Sequence, residues 1–250
     1  MDLRNGDCLE VMKELEKDSV DLLFADLPYG QTSCKWDCLI DLDLFWKEVN
    51  RVCKPDAPMV FTCSVKFGNS LINSNPKNFR YDLIWVKSAP CGFLNAKKMP
   101  MKKHEMIYVF YNKLPKVYTE NIALHHKHKF LKEDKEKYME SDLYGNGGKD
   151  TQNKSVRQHK ILYKKSEYEP PLPNSILEVK SEKGKHATQK PVALMEWILK
   201  YYSREGGVVL DPTMGSGSMG VACGNKNRTF IGVEKDETIY NVALKRCGLK

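Results

Sequence analysis

Apolar and polar positions change period repeatedly along the chain, and the changes mark out its elements. Val20, Leu22, Leu23, Phe24 and Ala25 form an apolar run without alternation, which predicts a strand buried on both faces of a parallel sheet. LDLFWKEVNRVC (42–53) has helical period, PMVFTC (58–63) predicts a strand, and a helix is expected from Lys66. YDLIWVK (81–87) and HEMIYVFY (104–111) predict two more strands joined by a lysine-rich loop. Residues 112–185 lose this periodicity and carry the turn-rich YGNGGKD (144–150) and YEPPLPN (168–174), so an irregular insertion serving recognition rather than the core is expected there. Order returns in PVALMEWILKYYS (191–203), a helix opened by proline with Val192, Met195, Leu199 and Tyr202 on one face. A strand at Val208–Leu210, a glycine turn, a helix from Ser218 and a strand in TFIGVE (229–234) follow. Strands alternating with helices, without internal repeats, predict an α/β architecture.

Three of these strands end in acids. Asp26 closes the first and runs into Leu27-Pro28-Tyr29-Gly30, where proline cannot continue a ladder and glycine permits a sharp turn. In open α/β sheets the ligand crevice lies at such carboxyl ends. Taken alone, Asp26 and Tyr29 read equally well as ordinary turn residues. Asp211 ends the strand at 208–210, and Gly215-Ser216-Gly217 then turn the chain into a helix N-terminus, where a ligand can lie against bare backbone. Glu234 ends the next strand about twenty residues later, where a βαβ unit holds ribose hydroxyls. The turn has the wrong glycine spacing for a dinucleotide and lacks the Gly-Lys-Ser/Thr of a phosphate loop. A ligand with ribose and adenine but no phosphate fits, namely S-adenosylmethionine.

Composition adds a partner. Forty Lys+Arg against 32 Asp+Glu give a formal charge of +8. From Lys87 to Lys116 there are seven lysines and one acid, Glu105, interleaved with Phe93, Tyr108, Phe110 and Tyr111. That clustering favours a polyanion, nucleic acid first, over a merely solvated surface. No apolar run approaches the ~18 residues of a membrane helix, and MDLRNGDCLEVM has acids where a secretory signal needs an apolar core, so a cytoplasmic protein is expected. The eight scattered cysteines suit reduced thiols. Cys34 and Cys38 form half a zinc spacing without a second pair, so no metal is expected, and His125, His126 and His128 are expected to be solvated.

Taken together, these motifs resemble the β arrangement of DNA amino-methyltransferases, which modify adenine N6 or cytosine N4, and small phage and prophage methylases in particular. Asp26-Leu27-Pro28-Tyr29 matches the family's catalytic Asp-Pro-Pro-Tyr, HATQKP (186–191) its element before the cofactor helix, and DPTMGSGS (211–218) its glycine motif. Leu27 departs from the first proline, and Thr213 stands where many members have phenylalanine. The resemblance implies a class I S-adenosylmethionine-dependent methyltransferase fold, Rossmann-like and circularly permuted. Its seven mostly parallel strands would begin with 208–211 and 229–233, then the N-terminal DLRN, then 20–25. It divides the chain into a catalytic half (1–111), a target-recognition insertion (112–185) and a cofactor half (186–250). It implies a cofactor site of Asp7, Asp26, Lys190, Asp211, Thr213, Gly215, Gly217, Ser218 and Glu234, with Asp7 near the adenine amine and also a candidate helix cap. The lysine run supplies Lys97, Lys98, Lys102 and Lys103 as DNA contacts.

In that family's chemistry the exocyclic amine is a poor nucleophile until its lone pair is localised. The Asp26 carboxylate and the Leu27 carbonyl, fixed by Pro28, would accept its hydrogens while Tyr29 stacks on a base turned out of the duplex. Asp at position 26 favours adenine N6 over cytosine N4 by family habit. A non-catalytic nucleic-acid-binding module is the third reading. A homodimer and a companion restriction enzyme are both left open.

Overall fold

The computed structural model describes residues 1–30, 38–130, 166–182 and 189–249. It divides into a larger unit, Met1–Ile122 with Asn174–Lys250, and a smaller one, Ala123–Pro173. In chain order the larger unit begins with β1 (Asp2–Asn5), α1 (Cys8–Lys13), β2 (Leu22–Ala25), α2 (Leu42–Val52), β3 (Met59–Cys63) and α3 (Val65–Ser74). Next come β4 (Phe79–Cys91), β5 (Lys102–Phe110) and α4 (Lys116–His125), whose last turn enters the smaller unit. The smaller unit pairs β6 (Lys127–Phe130) with β7 (Ser166–Glu169) in antiparallel register. The larger unit resumes with β8 (Ile176–Glu178), α5 (Val192–Tyr202), β9 (Val208–Asp211), α6 (Ser218–Asn225), β10 (Thr229–Glu234) and α7 (Glu237–Arg246).

Eight strands among the described residues form one sheet, in the order β1-β10-β9-β2-β3-β5-β4-β8. The five from β1 to β3 are parallel, and β5 runs antiparallel between β3 and β4. Alternate residues of the central strands feed two cores. Leu22, Phe24 and Val60 pack with α5 and α6 on one face, while Leu23, Ala25 and Phe61 pack with α2 on the other. Burial on both faces explains why β2 lacks alternation. Because α6, leading from β9, and α2, leading from β2, cover opposite faces, the winding reverses between these two neighbouring strands. A crevice opens at such a reversal, and here Asp26 and Asp211 lie on its rim.

All seven stretches expected as strands lie in this sheet, with an eighth strand added. β8 comes from the stretch expected to lie outside the core, yet pairs in parallel with β4, and Trp85 Nε1 donates to Val179 O at 2.8 Å. α4 also belongs mostly to the larger unit, where Asn121 Nδ2 donates to Ser203 O at 3.1 Å. The compact smaller unit is therefore narrower than 112–185. YGNGGKD lies outside the described residues. His126, expected to be solvated, is buried with Nδ1 3.0 Å from Pro170 O. Tyr108 and Phe110 also differ from expectation: both are core residues, leaving Phe93 exposed. No described helix is long and apolar enough to cross a membrane.

Candidate functional site

The crevice opens into a cavity of about 1340 Å³, lined from the ends of β2, β9 and β10 and from the β4–β5 hairpin. Asp26 is one of its lining residues. Lys190 Nζ lies 2.5 Å from Asp26 Oδ2, while Thr62 Oγ1 at 2.6 Å and Tyr29 OH at 2.8 Å both donate to Oδ1. The same lysine reaches Glu105 Oε1 at 3.1 Å, and Lys87 Nζ meets Glu105 Oε2 at 2.7 Å. Lys87, Glu105, Lys190 and Asp26 thus form an alternating chain of two ammoniums and two carboxylates. Burial by itself would raise the Glu105 carboxyl, but Lys190 and Lys87 outweigh it and hold the group below the usual carboxylate range. Burial would likewise lower Lys190, and the two carboxylates outweigh it, so the ammonium is held above its ordinary value. Burial, then the charges of Asp26 and Glu105, push the Tyr29 phenol far up, so it remains a donor. One side of its ring lies against Phe67, centroids 5.3 Å apart and tilted 32°.

Sequence position explains this convergence. Asp26 and Tyr29 leave the end of β2, Thr62 sits in the neighbouring β3, Glu105 in β5, and Lys190 just before Pro191 caps α5. Leu27 is buried against the α2 core, and it lines the cavity with Pro28.

The cofactor-type residues line the same cavity. Asp211 is fully enclosed and accepts from Thr213 N at 3.1 Å; burial raises its carboxyl well above the usual range. Thr213 Oγ1 is buried without a hydrogen-bond partner in the structure. Glu234 Oε2 accepts from Gly215 N at 3.0 Å, and its Oε1 from Asp236 N at 2.9 Å; burial still lifts the group above its ordinary value. Gly215 holds φ +53°, and a Cβ built there would meet no atom within 4 Å. Asp7 both caps α1, accepting from Leu9 N at 3.0 Å, and pairs with Lys235 at 3.2 Å. Arg246 reaches Ser216 O at 2.8 Å and Ser218 Oγ at 3.3 Å, tying the turn to α7.

Gly217 does not belong with this set. Its φ of +79° makes it a turn residue, and a Cβ there would press on Ala243 Cβ and Cys247 Sγ, each 3.2 Å away, on the α7 side. Its backbone freedom serves packing, not the ligand face. Lys97, Lys98, Lys102 and Lys103 are exposed at the β4–β5 hairpin, and Lys102 also borders the cavity. Lys87, part of the same lysine run, is committed to Glu105. Residues 186–188 of the HATQKP element lie outside the described residues.

The comparisons agree with this geometry. A family profile described as DNA methylase, of the N6/N4 class, matches residues 20–245. The chain belongs to the N6/N4 DNA methylase family. It is 26% identical over 270 residues to Type II methyltransferase M.HinfI of Haemophilus influenzae, covering 96% of this chain and 66% of that protein. It is 41% identical over 80 residues to M.HindIII of the same species, 31% of this chain and 26% of that one. The match thus spans under two thirds of the length of each of these curated relatives. Among solved structures, the M1.HpyAVI–SAM complex superposes with a TM-score of 0.62 at 24% identity, covering 99% of both chains. PvuII DNA methyltransferase (cytosine-N4-specific) does so with 0.63 at 15%, covering 98% of this chain and 85% of its own. These likenesses establish the class I methyltransferase fold for the chain.

Four residues of the site are absent from the sequence-based set: Thr62, Glu105, Lys87 and Arg246. Only Glu105 had a signal of its own. It is an acid in register with Ile107 and Val109 on the face of β5 that otherwise enters the core.

Proposed function

We propose that this chain transfers a methyl group from S-adenosylmethionine to the exocyclic N6 amine of an adenine turned out of DNA. The observation that carries the reading is Asp26, a carboxylate fixed by three donors in the wall of a cavity that also has the features of a nucleoside site. The residues fit that cofactor. Gly215 leaves its Cβ space open, Glu234 stands at the end of β10 within reach of ribose hydroxyls, and Thr213 Oγ1 has an unspent hydrogen bond. When bound, S-adenosylmethionine supplies a methyl group on a positively charged sulfur, open to displacement by an amine. Asp26 and the Leu27 carbonyl accept hydrogen bonds from the amine, which localises its lone pair. With Lys190, Thr62 and Tyr29 already donating to it, Asp26 is a firmly oriented acceptor. It polarises the amine rather than deprotonating it beforehand, and once methylation has made the nitrogen acidic the N–H proton passes to solvent water. Preorganised groups of this kind need no rearrangement at the moment of transfer.

Asp at position 26 supports adenine. The likeness to a structure titled cytosine-N4-specific supports the second reading, cytosine N4. Incubating the protein with labelled cofactor and duplex DNA, then identifying the modified nucleoside and its sequence position, separates them. N6-methyladenine is expected; N4-methylcytosine selects the second reading; cofactor binding without transfer leaves a binding module. Asp26→Ala, in which Lys190 keeps Glu105 as partner, should lower the transfer rate about a hundredfold or more and leave cofactor affinity nearly intact. Transfer at the parent rate would remove Asp26 from the mechanism.

A further inference from the structure

The β4–β5 ladder shifts register between Val86 and Cys91 but closes with Cys91 opposite Lys102, and the residues between that pair form a compact tip. Gly92, at φ +92°, turns the chain into a single 3₁₀ turn at Phe93–Asn95. The tip is braced by its own backbone bonds, Asn95 N to Gly92 O at 2.9 Å and Ala96 N to Phe93 O at 3.0 Å. Its apolar side chains point outward: Phe93 is 81% exposed and Leu94 96%, with Met99 and Met101 also exposed. Four large apolar residues so close together on a braced surface tip are costly to leave in water, and such patches mark places where something docks.

Two features say what docks. From Gly92 to Lys103 the tip carries Lys97, Lys98, Lys102 and Lys103 and no acid, so its partner is a polyanion with an apolar interior. Its base, at Cys91, Gly92 and Lys102, lines the same cavity as Asp26. A duplex whose target base sits at Asp26 has, at the place the base has left, an unstacked gap one base step deep, roughly 3.4 Å per step along a strand. Proteins that unstack DNA commonly fill such a step with Phe, Leu or Met.

We propose that Phe93 and Leu94 form an apolar wedge that enters the base stack where the target base departs, held there by the four lysines on flanking phosphates. This rests on the DNA reading proposed above and adds the element that holds the duplex open. The wedge stabilises the extruded state and takes no part in methyl transfer, so it matters only when the base must leave a paired stack, a step that is least costly where pairing is already lost.

The test uses the full chain and the duplex mapped by the labelling experiment, in two forms: target base paired, and target base opposite an abasic site. The double variant Phe93→Ser with Leu94→Ser should fold with an unchanged melting temperature, since both residues are exposed. It should lose about tenfold or more in kcat/KM on the paired duplex, a loss of about the cost of unstacking, and stay near the parent on the abasic one. Phe93→Leu, still apolar, should restore most of the paired activity. Equal activity of the variant and the parent on both duplexes overturns the wedge, as does an equal loss on both. A parent dimer in sedimentation that the double variant dissolves also overturns it, assigning the patch to a second copy of the chain. If the parent methylates neither duplex, the DNA reading itself fails and the wedge falls with it.

Discussion

Glu105 carries no motif, yet it joins both lysines of the buried ion chain, and Asp26 keeps its orientation through one of them. Glu105→Gln leaves two ammoniums facing one carboxylate. Breaking a buried pair from one side costs about 3 kcal/mol or more, so the variant should unfold at distinctly lower urea at pH 7. Because the folded Glu105 titrates below its unfolded value, its stabilisation is complete above the ordinary carboxylate range and is lost as pH falls through the folded value. The gap between parent and variant should therefore narrow in acid; a gap independent of pH would show that charge is not the cause. Tyr29 is the second case. Its hydroxyl gives Asp26 one of three hydrogen bonds, so Tyr29→Phe should lower kcat by about tenfold, a hydrogen bond to a charged group being worth about 1.5 kcal/mol. Tyr29→Ala also removes the ring and should lose a further ~1–3 kcal/mol of base capture, read by 2-aminopurine fluorescence at the target. The sequence made Asp26 and Tyr29 conspicuous through their turn. It hid most of their support, because Thr62, 36 positions from Asp26, meets it only through the sheet, and Glu105, 79 positions away, acts through Lys190, which the HATQKP motif had marked without its bond to Asp26.

At the scale of elements, the turn between β9 and α6 separates two jobs that adjacent glycines seemed to share. Gly217→Val forces a branched residue into φ +79° and its Cβ against Ala243 and Cys247, so protein stability should fall by about 1–3 kcal/mol. Gly215→Val is also strained, but its side chain enters open space on the ligand side, so cofactor affinity should suffer more than stability. Calorimetric titration with S-adenosylmethionine beside denaturant melts distinguishes the two; equal loss of affinity with no loss of stability would return Gly217 to the ligand face. Elements with strong periodicity were legible to within a few residues. α2 was expected at 42–53 and occupies Leu42–Val52, and β2, β3 and α5 agree as closely. β8 was not legible because three residues after a proline-rich stretch carry no period, and only the edge of β4 makes them a strand. α4 was missed because its apolar residues follow no single face.

For the whole molecule, charge and topology set the long-range behaviour. Replacing Lys97, Lys98, Lys102 and Lys103 by glutamine should flatten the salt dependence of DNA binding by about 0.9 in log–log slope for every phosphate that is no longer neutralised. An unaltered slope would place the DNA path elsewhere on the surface. The permuted order has a different consequence, for the timing of assembly. β2 is the central strand, and its partner on one side, β3, follows within forty residues, but Leu22 pairs with Val209 and Leu23 with Leu210. At about 5–20 residues per second of synthesis, the other edge of β2 waits roughly 10–40 s for β9 to be made. β1 waits longer still for β10, pairing Leu3 with Gly232. During that interval the nascent chain carries an uncapped, wholly apolar strand at what will become the middle of its sheet, the kind of edge that recruits neighbouring chains. The switch point that creates the crevice is thus also a seam of the sheet that closes late.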